Sequence, residues 1–180
     1  MDTYKPSYVE STPLHFSESP EKLLAQGAST EAMSDDSLTP LHHAALNGDT
    51  KQAHQLLNSD SVSLQTLFDE TGGDSSIDID AKDSNNNTPL HLAAQNGHTK
   101  MVQLLRRHCA STAAINNDHY IPLHHAAKND HFSIVELLVD HASIESRDKY
   151  NNTPLHLAAQ SGQTGMVELL LVSGVEFNNV

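Results

Sequence analysis

Apolar positions in this chain recur at helical spacing in short, paired blocks. In residues 88–120 the first block runs from Leu90 to Gln95 and closes at Asn96-Gly97, where glycine accepts a left-handed backbone. Thr88 is placed to cap that helix and Pro89 to occupy its first position, where a missing N–H costs nothing. A second block from about Thr99 sets Met101, Leu104 and Leu105 at i, i+3, i+4 on one face. The same order returns in 121–152, with Ile134, Val135, Leu137 and Leu138, and in 153–180, with Met166, Val167, Leu169, Leu170 and Leu171. Each unit is therefore predicted to be helix–turn–helix. Two narrow apolar stripes cannot be buried by one such unit alone, so neighbours must stack, leaving the connecting segments to project as hairpins. Ala93 and Ala94 are small enough to let the two helices and the next repeat approach closely.

The repetition is nearly literal. Thr39-Pro40-Leu41-His42-His43-Ala44-Ala45 returns as Thr88-Pro89-Leu90-His91-Leu92-Ala93-Ala94, as Ile121-Pro122-Leu123-His124-His125-Ala126-Ala127 and as Thr153-Pro154-Leu155-His156-Leu157-Ala158-Ala159. Thr39 to Thr88 is 49 residues, Thr88 to Ile121 is 33, and Ile121 to Thr153 is 32. A T-P-L-H-x-A phrase at a period near 33 resembles the ankyrin-repeat family over Thr39 to Val180. The resemblance implies an all-α solenoid of stacked helix-turn-helix units with projecting hairpins. It divides the chain into an N-terminal tail and degenerate capping repeat (1–36), a repeat with an insertion at about 58–76 (37–87), two further repeats (88–120 and 121–152) and a last, truncated one (153–180).

Four departures from regularity stand out. The insertion Asn58 to Ser76 is polar at both ends, and Val62, Leu64, Leu67 and Phe68 in its middle suit an extra helical turn or two. The third repeat is one residue short, and the loss is expected in the turn around His141-Ala142. At the hairpin turns the family usually has glycine, whereas this chain has Asn86, His119 and Asn151. Asparagine tolerates a left-handed backbone better than histidine does, so irregular geometry is expected at His119. The last repeat stops at Phe177-Asn178-Asn179-Val180, near the start of the next hairpin, and its apolar second helix would face a missing fifth unit. The expectation is a fragment of a longer protein rather than a face covered by a partner chain.

Charge narrows the partners. Ten Lys and Arg against 23 Asp and Glu leave a net charge of −13, which argues against nucleic acid and anionic membrane surfaces. No apolar run reaches the ~18–20 residues of a membrane span, and the N-terminus lacks a secretory layout. Cys109 is the single cysteine, so no intrachain disulfide can form, as suits a reducing, cytoplasmic setting.

Thirteen histidines raise a metal site. Yet adjacent residues on a helix point about 100° apart, so His42-His43 and His124-His125 cannot each chelate one ion. No histidine pair combines with cysteine or carboxylates at zinc-finger spacing. His42, His91, His124 and His156 fall at the motif position where the resemblance implies a structural hydrogen bond. Cys109 beside His108 lacks the geometry of an activated nucleophile, and phosphate loops and serine-hydrolase elbows are missing. The expectation is no catalytic residue, no cofactor and no metal.

The resemblance implies a protein or peptide partner bound on a concave face lined by hairpin tips and inner helices. Carried over by position, the tips are Ser84, Asn85 and Asn87, then Asn117, Asp118 and Tyr120, then Lys149, Tyr150 and Asn152. The exposed ends of first helices supply Leu46 and Asn47, Gln95 and Asn96, Lys128 and Asn129, and Gln160 and Ser161. Tyr120 and Tyr150 are the favoured anchors, because tyrosine on a rigid scaffold buries much area at little entropic cost. Lys128, Lys149 and Arg147 lie towards the third and fourth repeats, with acids gathered in the insertion and before the second, so a partner of mixed polarity is expected. Asn178 stands where many ankyrin repeats carry a hydroxylated asparagine. The first reading is a non-enzymatic protein-binding module in the cytoplasm. Its alternatives are the targeting arm of a larger enzyme and a bacterial effector acting in a host cytosol.

Overall fold

The structure, a computed structural model, describes residues 37–63 and 77–178. Its helices are α1 (Pro40–Asn47), α2 (Thr50–Ser63), α3 (Pro89–Gln95), α4 (Thr99–Arg107), α5 (Pro122–Lys128), α6 (Phe132–Leu138), α7 (His141–Ile144), α8 (Pro154–Gln160) and α9 (Thr164–Asn178), with no strand among the described residues. The expected capping unit in 1–36 and the middle of the insertion lie outside the described residues.

Each first helix starts on the same device. Thr39, Thr88 and Thr153 hold extended backbone before a proline, and the histidine three residues on folds back over them. The Thr88 N–H donates to His91 Nδ1 at 3.1 Å, and Thr88 Oγ1 lies 2.9 Å from the same nitrogen. Ile121 has no hydroxyl, so only its N–H bond to His124 Nδ1 remains, at 3.2 Å. The turn to the second helix takes a left-handed residue at Gly48, Gly97, Asp130 and Gly162.

First helices pack in one row, α1 on α3, α3 on α5 and α5 on α8, while α2, α4 and α6 form a second. Ala44, Ala45, Ala93, Ala94, Ala126 and Ala127 are wholly buried between first helices, and Leu41, Leu90 and Leu123 almost so. Full burial of each such leucine contributes about 1.5–3 kcal/mol. The neighbour's share is visible in α8, where no described element packs beyond it. There Ala159 is exposed and Leu155 only half-buried.

The irregularities have local causes. Helix α2 spans 14 residues against 9 in α4, so the insertion begins as a continuation of the helix. The missing residue of the third repeat falls where expected. Helix α4 ends through a left-handed Cys109 at φ 65°, whereas α6 ends at an extended Val139. Asp140 then caps the four-residue α7, its carboxylate accepting from the Ser143 N–H at 2.7 Å. This short helix packs on α9.

Two expectations are corrected. His119 adopts φ 58°, matching Asn86 at 60° and Asn151 at 67°. Its hairpin is as regular as the others, because bonds on either side of it fix the turn. The chain also does not turn into a hairpin near Phe177. Helix α9 runs 15 residues through Gly174 to Asn178, past the position that corresponds to the Cys109 turn.

Candidate functional site

One buried side chain organises each hairpin. Asp83 accepts from the N–H groups of Asn85 and Asn87 at 2.8 and 2.7 Å and from Asn87 Nδ2 at 3.1 Å. Asn116 Oδ1 accepts from the N–H groups of Asp118 and Tyr120, both at 2.9 Å. Asp148 accepts from those of Tyr150 and Asn152 at 2.8 and 2.7 Å. Desolvation opposes ionisation of Asp148, but its hydrogen bonds from Asn152 and Tyr150 prevail and hold the carboxyl below its ordinary range. The signal for these residues was present as Asp83…Asn87 and Asp148…Asn152 at matched spacing, and sequence reasoning passed over it.

Successive hairpins are tied together. The Asn117 N–H donates to the Asn85 carbonyl at 3.0 Å and the Lys149 N–H to that of Asp118 at 3.1 Å. Asn116 Nδ2 donates to Asn87 Oδ1 at 2.8 Å, Asn86 Nδ2 donates to Asn117 Oδ1, and Lys149 pairs with Asp118.

The motif histidines complete this tie from below. His91 Nε2 lies 2.9 Å from the Tyr120 carbonyl and His42 Nε2 3.0 Å from that of Asn87, with His124 reaching Asn152 at 3.4 Å. Because Nδ1 receives a backbone N–H and Nε2 faces a carbonyl, the network assigns the neutral ring with hydrogen on Nε2. Burial drives the His91 imidazole down to about 4, against the pull of its carbonyl bond. His42 and His124 are lowered for the same reason.

A second set of cross-repeat bonds was not anticipated. His98 Nε2 lies 3.0 Å from the Leu46 carbonyl, His131 Nε2 3.1 Å from that of Gln95, and Gln163 Nε2 donates to that of Lys128 at 2.8 Å. The rings of His98 and His131 lie over Gly48 and Gly97 of the preceding repeat, where a Cβ would come within 2.6 and 2.7 Å.

Between hairpins and first helices runs a cleft of about 580 Å³, whose lining includes Leu38, Leu46, Leu92, Gln95, Asn117 and His125. Its floor is the bonded chain Asp83, Asn87, Asn116. His125 is driven down to about 3, first by burial and then by repulsion from His91 and Lys128, so the cleft presents a neutral ring.

Three overlapping matches to a family model described as ankyrin repeats cover residues 15–117, 58–148 and 110–180. The chain belongs to the ankyrin-repeat family. None of the curated proteins compared with it matches. Ankyrin repeats are generally protein–protein interaction modules, and the family is typically non-catalytic. No helix among the described residues is long and apolar enough to cross a membrane.

The ankyrin frame brings seven of the position-inferred residues to this cleft: Leu46, Ser84, Asn85, Asn87, Gln95, Asn117 and Asp118. Asn87 is buried and consumed by the scaffold. Asn96 caps α3, its Nδ2 donating to the Leu92 carbonyl at 2.8 Å, and Asn129 Nδ2 reaches back to the Gln95 carbonyl at 3.1 Å. Gln160 Nε2 donates to Asn152 Oδ1 at 3.3 Å. The two tyrosines part company. Tyr150 is 72% exposed, with Lys149 Nζ 5.1 Å from its ring centre. Tyr120, expected at a projecting tip, is only 9% exposed. Its ring stacks on His124 at 5.2 Å and meets the edge of His125 at 5.1 Å, with Lys128 Nζ 5.7 Å above. Burial raises its phenol above the ordinary range. Tyr120 takes the hairpin position of Asn87, which is buried as well, and His124 and His125 face its ring there.

Proposed function

We propose that this ankyrin array is a non-enzymatic binding module that holds a protein or peptide along its hairpin tips and the exposed ends of its first helices. The observation that carries the reading is the continuous cleft joining the tips Ser84, Asn85 and Asn117 to Gln95 and Leu92 of α3. Its walls are rigid because every hairpin is hydrogen-bonded to its neighbour, so a partner meets a preorganised surface. Tyr150 is the anchor, exposed and set on a turn fixed by Asp148. Asp118 is neutralised by Lys149, Lys128 lies towards the last repeats, and Asp78 and Asp80 precede the second. That layout favours a segment of mixed polarity with its acidic end towards Lys128.

The test is capture from a cytosolic lysate by the intact chain, by an Asn117→Ala/Tyr150→Ala variant and by a Glu168→Ala control at an exposed position of α9, all shown folded by circular dichroism. A protein retained by the chain and the control and lost by the double variant supports the reading. Equal capture by all three refutes it.

A further inference from the structure

We infer a second docking surface, on the outer faces of α2 and α4, that takes an acidic, helix-forming protein segment. Lys51 on α2 and Lys100, Arg106 and Arg107 on α4 are all exposed. None of the four side chains makes a hydrogen bond or ion pair among the described residues. Helix α4 contains no Asp or Glu, and the one acid of α2 is Asp60 near its end. A chain of net charge −13 thus places four of its 10 Lys and Arg on two helices that pack directly together.

The stripe has relief as well as charge. Arg106, Arg107 and Gln103 line a shallow cleft of about 390 Å³ closed by Leu137 of α6. Lys100 lines another of about 270 Å³ beside Gly48 and Gly97. Lys100 and Arg107 stand two turns apart, about 10 Å along the axis. Half-buried Leu137 supplies an apolar edge.

Cations left unpaired among the described residues of an acidic protein attract carboxylates. Patch size decides which polyanion fits. Exposed Glu136 bounds the stripe on α6, so a duplex or a bilayer would extend over repelling surface, whereas a short segment ends within it. The fitting occupant carries carboxylates one and two turns apart with apolar residues between them. This surface belongs to the second-helix row, away from the hairpin cleft, so both can be filled at once and the array can bridge two proteins.

The probe is a fluorescent peptide of about 15 residues, helix-forming, with glutamates one and two turns apart on one face, titrated by anisotropy at low salt. Expected is saturable binding that weakens at least tenfold on Arg106→Ala/Arg107→Ala, weakens as salt is raised and is unchanged by Tyr150→Ala. A scrambled peptide of the same composition should bind at least tenfold more weakly. The inference is overturned by equal binding of the scrambled peptide, by an unaffected arginine variant, by no saturable binding, or by DNA or anionic vesicles competing as well as unlabelled peptide. Because Tyr150→Ala marks the other face, loss of binding in that variant would place the peptide in the hairpin cleft instead.

Discussion

Replacing His91 by alanine tests the claim that motif histidines join repeats rather than merely start helices. His91 is wholly buried. Its loss strands the Thr88 N–H and the Tyr120 carbonyl, partners at 3.1 and 2.9 Å. An unsatisfied buried polar group costs about 1–3 kcal/mol, and the vacated ring adds a cavity, so His91→Ala should cost about 3–5 kcal/mol. His156 provides the internal comparison. It makes the same bonds to Thr153, but it is exposed and no described carbonyl lies across from its Nε2. His156→Ala should therefore cost only about 1 kcal/mol. Urea unfolding followed by circular dichroism measures both, and a rise in protection from hydrogen exchange at Asn116–Tyr120 should be missing in His91→Ala. Equal costs for the two substitutions would refute the coupling argument.

Stability should fall on mild acidification. His42, His91, His124 and His125 all have folded values below the ordinary 6.5. Protons therefore bind the unfolded chain first, and stability present above about pH 6.5 is lost as pH drops towards 4. His91 alone can contribute up to about 3 kcal/mol of that loss, and a flat urea midpoint between pH 7 and pH 5 would contradict it. Gly97→Ala should destabilise by about 2–4 kcal/mol, since strain at φ 75° adds to a collision with the His131 ring. Gly162→Ala, at φ 71° with nothing within 4 Å, should cost only about 1–2 kcal/mol in the same melt. His119→Gly should raise stability by up to about 1 kcal/mol by relieving the left-handed histidine; a loss would mean that the imidazole holds the turn. Tyr150→Ala should change stability by less than about 0.5 kcal/mol, as befits an exposed side chain.

The local text of this sequence is unusually complete because each repeat is specified by neighbours close in the chain. A capping Thr, a proline at the first helical turn and a histidine three residues on define α3 from seven residues alone. The i, i+3, i+4 apolar spacing defines α4, and repetition says that such units must stack. Even the one-residue loss near His141 could be located by register. Solvent exposure could not be read this way. Tyr120 holds the hairpin position of Asn87 and Asn152, and Tyr150 that of Asn85 and Asp118; the first is buried against His124 and His125 and the second is free. His98 follows Gly97 and His131 follows Asp130, and stacking carries both rings onto the preceding repeat. The sequence by itself determined the helices, their caps and the need to stack, since those follow from bonds a few residues long. Only the tertiary structure decided which polar side chains remain free to bind, because that depends on carbonyls and rings that arrive from the next repeat, about 30 residues away.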